Sequence, residues 1–196
     1  MLVLASASPR RQELLRNAGI PFRAQAADID EAPIAGESAQ DCAERLAREK
    51  AITIFRAHPD DCVLGADTIV VIDETILGKP RNDDDAIRML RLLSGRIHAV
   101  ITGVCLVCPG PEESRIRIET PRIKIASATT LVTMSEISEQ EIREYVASGE
   151  PMDKAGAYAI QGRASRWIPR IKGDYSNVVG LPVALVYAML KERGIV

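Results

Sequence analysis

Residues 62–72 read Cys-Val-Leu-Gly-Ala-Asp-Thr-Ile-Val-Val-Ile, a β-rich apolar run with a single carboxylate, Asp67, at its centre. This run constrains the fold more tightly than any other stretch. A carboxylate buried without a partner is far costlier than one left in water. The chain must therefore bring Asp67 a metal, a lysine or a network of donors, and Gly65 and Ala66 just before it keep the approach open. A strand carboxylate can also serve only as a structural cap.

The elements around this run alternate in type. Residues 2–5 read as a short buried strand, and Ser8 with Pro9 opens a helix that Gly19 and Pro21 close. Ser38 starts a second helix running to about Arg56. Asp73-Glu74 turns the chain into Thr-Ile-Leu-Gly-Lys-Pro, which predicts a hairpin. Asn82 to Leu93 carries Ala86, Met89, Leu90 and Leu93 on one helical face, ended by Ser94-Gly95. A strand from about Ile97 to Val107 leads into a Pro/Gly/Glu-rich loop at 109–114, and residues 115–134 alternate as one or two strands. Ser138 to Glu141 forms a capping box for a helix that stops at Gly149. Residues 157–180 read as short strands broken by glycines, and Pro182 starts a final helix. The order predicts an α/β fold on a mixed sheet with flanking helices, one domain over 1–196 with two lobes.

Bulk properties exclude several classes. The formal net charge of −2 leaves no basic field for nucleic acid or an anionic membrane. No apolar run approaches the roughly 20 residues that cross a bilayer. The short apolar start followed by Arg10 and Arg11 has the wrong order for a signal peptide, so a cytoplasmic protein is expected. Of Cys42, Cys62, Cys105 and Cys108, only the last two make a CxxC, and nothing nearby completes a zinc set. Disulfides are not expected in that compartment.

Residues 4–15, Leu-Ala-Ser-Ala-Ser-Pro-Arg-Arg-Gln-Glu-Leu-Leu, place two cations at a helix start, where the dipole disfavours them. The placement becomes favourable if an anion docks there. The helix N-terminus, the hydroxyls of Ser6 and Ser8 and the forks of Arg10 and Arg11 together describe a polyphosphate cradle. The plainer alternative leaves Ser8 as a cap and both arginines solvated. Lys50 falls on the apolar stripe Ala43, Leu46, Ala47, Ala51 and Ile54, so it either snorkels or reaches into a cleft. Lys79 is presented between Gly78 and Pro80. In Asp-Lys-Ala-Gly-Ala-Tyr-Ala-Ile-Gln-Gly (153–162), Asp153 and Lys154 can simply pair, whereas the Gln161 amide can donate to a carbonyl and accept from a ring N–H. That suits uracil or thymine, although guanine offers a similar edge. No phosphate loop, dinucleotide fingerprint or HExxH is present. His98 reads as a polar residue at a strand edge and His58 as a helix end.

Taken together and in order, "LASASPRRQELL", "LAREKA", "VLGADTIVV", "LGKP", "LSGRIHAVITGV", "YVASGEPMDKAGAYAIQG" and "GDYSNVVGLP" resemble the Maf-like (septum-formation) family of nucleoside triphosphate pyrophosphatases. The resemblance covers nearly the whole chain, and "DKAGAYAIQG" is similar to the branch acting on dTTP and UTP. It implies an elongated mixed α/β sheet with the nucleotide in a cleft between lobes. It implies Asp67 as proton acceptor, Arg10, Thr68 and Gln161 as specificity positions, and Ser6, Arg11, Lys50 and Lys79 along the phosphates. It further implies a divalent cation, Mg²⁺ or Mn²⁺, held by Asp67 with Glu31, and a homodimer. Two departures stand out: a charged, irregular segment at 109–122, and Met134 where the family often has Phe. The competing class is a nucleotide-binding regulator of cell division without turnover, but a pure binder gains nothing from a carboxylate near phosphates.

Overall fold

The computed structural model describes residues 1–110 and 121–196. Most of the loop expected at 109–114, and the start of the strand expected from 115, lie outside the described residues. Among the described residues, seven strands form one mixed sheet: β1 (Leu2–Leu4), β2 (Arg23–Ala24), β3 (Cys62–Ile72), β4 (Thr75–Leu77), β5 (Ile97–Cys108), β6 (Arg122–Thr133) and β7 (Arg170–Lys172). Their order is β2-β1-β3-β5-β6-β7, with β4 paired to β3. β1 runs parallel to β2 and β3, while β4 is antiparallel to β3 and β7 to β6. The helices are α1 (Pro9–Asn17), α2 (Ala39–Ala57), α3 (Asp83–Leu93), α4 (Glu139–Ala147), α5 (Tyr175–Val179) and α6 (Val183–Lys191). The chain divides into two compact units.

The first unit comprises Met1–Asp67, Thr102–Ser127 and Gly180–Val196. Strand alternation sorts its core into two clusters. Leu2, Leu4, Leu64, Ala66, Val104 and Leu106 pack with Leu15 of α1 and with Val186, Met189 and Leu190 of α6. Val3, Ala5, Val63, Cys105 and Val107 point the other way, onto Ala47, Ala51 and Ile54 of α2. This is the period-2 alternation of a strand covered on both faces. It also explains a correction: Cys105 and Cys108, three residues apart, fall into opposite clusters and cannot join. Cys108 instead forms a disulfide with Cys62, contrary to the expectation of none.

The second unit, Thr68–Ile101 and Ala128–Val179, has its own core. Val70, Ile72, Leu77, Val100 and Val132 of the sheet pack with Met89, Leu90 and Leu93 of α3 and Ile142, Tyr145 and Val146 of α4. The turn between β3 and β4 has Asp73 at φ 46° and Glu74 at φ 64°. Two left-handed residues make the primed turn that suits a two-residue hairpin. Local chemistry sets the helix starts: Asn82 Oδ1 accepts from Asp85 N at 2.9 Å, and Ser138 and Glu141 complete their capping box. Residues 157–180 depart from the expected series of strands. They hold a 3-10 turn at Arg163–Trp167, the three-residue β7 and the short α5. Asp174 Oδ1 accepts from Ser176 N at 2.7 Å, a side-chain turn that competes with extension. His98 is also not an edge residue: it is 2% exposed.

Candidate active site

Within the first unit, the site begins with two glycines. A Cβ on Gly65 would lie 2.1 Å from the Ala47 carbonyl oxygen, and one on Gly103 would lie 2.4 Å from that of Ala43. Bare backbone at both positions lets α2 rest directly on the sheet, and Ala43, Ala47 and Ala51 keep the seam thin. Lys50, on the same helix, then reaches β3. Its Nζ donates to Asp67 Oδ1 at 2.6 Å and pairs with Glu31 Oε1 at 2.5 Å. Lys50 and Asp67 are only 7% and 9% exposed, so each needs the other's charge. Of the three partners open for Asp67, the structure supplies the lysine, and of the two options for Lys50 it shows the inward reach.

Arg11 projects from α1 into the same neighbourhood. Its Nε donates to the Gly180 carbonyl at 2.7 Å and its Nη1 to Ser6 Oγ at 3.3 Å. Burial pushes its guanidinium below the ordinary value; Asp67 pulls it back up, Arg10 depresses it and Glu31 raises it. An arginine so shifted is still a cation at neutral pH. Five of the expected charges, those of Arg10, Arg11, Glu31, Lys50 and Asp67, thus share one field. Ser6, which is buried, accepts from Ser8 N at 3.2 Å. Ser8 itself holds the N-cap position ahead of Pro9, but its side chain makes no capping bond. The sequence therefore gives the right helix start for partly the wrong reason: proline at the first position and the Ser6 turn organise it.

Ser6, Ser8, Arg10, Arg11, Glu31, Lys50 and Asp67 all belong to the first unit, and Thr68, Lys79 and Gln161 to the second. Thr68 follows Asp67 on β3 and is half-buried, while Lys79 and Gln161 are exposed. The Gly78 carbonyl beside Lys79 accepts from Gly156 N at 3.0 Å. Gly156 can sit there because its φ of +68° and its place against Val70, where a Cβ would be 2.9 Å from Cγ1, both require glycine. Part of the 153–162 motif is therefore a brace for the lysine turn. Asp153 and Lys154 do pair, at 2.5 Å. His98 Nε2 lies 2.7 Å from Tyr158 Oη, and burial pushes the imidazole down to about 4, so it is neutral at physiological pH.

One contributor escaped the sequence reading: Gly180, whose carbonyl fixes Arg11 from 169 positions away. "GLP" was visible, but a backbone acceptor leaves no side-chain signature.

Among the described residues, no group of three or more His, Cys, Asp or Glu could hold a metal ion. Asp67 and Glu31 nevertheless fit a hard divalent cation bound with its substrate. Both offer carboxylate oxygens within reach of one ammonium, and magnesium ordinarily takes one or two carboxylates, the remainder being water and phosphate.

Residues 1–193 match a protein family described as Maf-like protein. A relative from Koribacter versatilis, named dTTP/UTP pyrophosphatase, is 52% identical over 99% of this chain and 95% of its own. A protein of the same name from Syntrophomonas wolfei is 48% identical over 97% and 96%. Another from Symbiobacterium thermophilum is 49% identical over 98% and 94%.

Proposed function

This chain belongs to the Maf-like protein family, and from that premise we propose that it is a pyrophosphatase hydrolysing dTTP and UTP to the monophosphate and pyrophosphate. The observation that carries this reading is the Lys50 ammonium set between Asp67 and Glu31, with Arg11 in the same field. Such a corner is costly to build for stability alone, and it suits a ligand that is strongly anionic yet arrives with a cation.

Water attacks the α-phosphorus, the bond to the α–β bridging oxygen breaks, and pyrophosphate departs. Asp67 accepts the proton that the attacking water loses. Arg11, Lys50 and the amino end of α1 offset the charge that builds on the leaving group, and Lys79 is assigned the same task. Asp67 and Glu31 would hold Mg²⁺ or Mn²⁺, which when bound adds positive charge at the phosphates and acidifies water. The family resemblance assigns pyrimidine selection to Gln161, Arg10 and Thr68. By the same resemblance we assign a homodimeric state, and from the near-neutral charge of −2 no nucleic-acid or membrane partner; among the described residues no helix is long and apolar enough to cross a membrane.

The test is a panel of nucleoside triphosphates with Mg²⁺ and identification of products. Monophosphate with pyrophosphate, fastest from dTTP and UTP, is expected. Binding without turnover would overturn the enzyme reading, and nucleoside diphosphate would overturn the bond assignment.

A further inference from the structure

Gln161 is exposed at a turn, and an amide that must both donate to and accept from a base edge needs a fixed backbone beneath it. The structure shows what fixes it. Gly162 N closes the turn onto the Ala159 carbonyl at 3.1 Å. The next N–H, of Arg163, donates to both carboxylate oxygens of Glu150, at 3.1 and 3.3 Å. Glu150 Oε1 also accepts from Tyr145 Oη at 2.9 Å. Tyr145 is 1% exposed and stacks edge-on against Trp167, ring centroids 5.3 Å apart, so the acid is anchored to a packed layer. Gly162 lies directly over the carboxylate, where a Cβ would come within 2.0 Å of Oε1. Only a residue without a side chain fits between Gln161 and this acid.

We infer that Glu150 is a positioning residue for base selection: its carboxylate clamps the Gly162–Arg163 backbone and thereby sets where Gln161 meets the pyrimidine edge. The inference rests on the proposed reading of Gln161. The bonds run from a backbone N–H and a phenol to a carboxylate, which makes them stronger than neutral ones. Glu150→Gln keeps Oε1 as the acceptor for both Tyr145 and Arg163, whereas Glu150→Ala leaves both donors without it and empties the space under Gly162.

Four variants decide it, each assayed for kcat and KM with UTP, dTTP, CTP and GTP. Glu150→Ala should lower the UTP-to-CTP ratio of kcat/KM about tenfold, chiefly through KM, with kcat for UTP within about threefold of wild type. Glu150→Gln should restore the ratio. Gly162→Ala, which keeps both Glu150 and Tyr145 in the chain but drives a methyl against the carboxylate and so disturbs the clamp, should shift the ratio in the same direction, and it decides the matter should Glu150→Ala not fold. Gln161→Ala should lose the ratio outright. If Gln161→Ala loses discrimination while Glu150→Ala and Gly162→Ala retain it, the clamp is refuted and the Gln161 reading stands. If Gln161→Ala retains the ranking, the base-reading role falls and the clamp with it.

Discussion

Each unit buries polar groups against its strands, and the two do so by different means. In the first, Lys50 from α2 meets Asp67 on β3 as full charges, with Glu31 on the same ammonium. In the second, His98 on β5 meets the hydroxyl of Tyr158, and burial keeps the imidazole uncharged. The surroundings differ accordingly. The charged pair sits where glycines and alanines thin the helix–sheet seam, so the long lysine can span it. The neutral pair sits among large side chains, including Tyr145, Trp167 and Met89, that fill space and leave no charge to compensate. An ion pair retained at such cost points to chemistry, whereas a neutral pair among aromatics is sufficient for architecture.

This contrast can be broken in four places, the largest effect first. Asp67→Asn removes the charge while keeping the shape, and turnover should fall about 10²- to 10⁴-fold in a protein that still folds but melts lower, because buried Lys50 keeps only Glu31 as a carboxylate partner; near-normal pyrophosphate release would return the charged pair to a structural role. Next comes the Cys62–Cys108 disulfide, which closes a sequence separation of 46. In the chain-entropy picture such a link contributes about 4 kcal/mol, so reduction should lower the urea midpoint, and hydrogen exchange should quicken first at the ends of β3 and β5. No reductant dependence would show that packing of the first unit suffices.

Gly65→Ala forces a methyl to within 2.1 Å of the Ala47 carbonyl. Backbone must move, at about 3 kcal/mol, lowering the melting temperature by about 6–12 °C and pulling Lys50 from Asp67. An unaltered melting curve would mean that α2 is not seated by that contact. Finally, His98 sharpens the neutral side. Its folded value of about 4 lies below the ordinary 6.5, so in that window the unfolded chain binds a proton the folded one does not. Stability is therefore present above pH 6.5 and lost on acidification, by about 2 kcal/mol at pH 5. Denaturant midpoints for wild type and His98→Gln should diverge at neutral pH and converge toward pH 4; parallel curves would place a proton on the imidazole in the folded state.

The most local features were the most legible. β3 spans the residues its apolar run marks out, and the Asn82 and Ser138 starts follow from a side-chain oxygen three residues ahead of a free N–H. β2 is two residues long and offers no periodicity to read. The stretch 157–180 was misread because isolated apolar residues between glycines suit strands and 3-10 turns alike, and the Asp174 turn decided the outcome. For the site, residue types pointed to phosphate and to a partner for Asp67, but not to which partner. His98 looked peripheral because its own neighbours in sequence are mixed; its burial comes from Tyr158, 60 positions away.

By itself the sequence determined the α/β alternation, the caps and turns, and the presence of an acid that could not be buried alone, because these depend on side-chain pattern within a few residues. Only the tertiary structure decided that Lys50 answers Asp67 from 17 positions away, that Gly180 holds Arg11, and that Cys108 joins Cys62 instead of its neighbour Cys105. Those pairings are made by which strand faces which helix, and by how closely bare glycine backbone lets them approach, a property of packing that no local run of residues encodes.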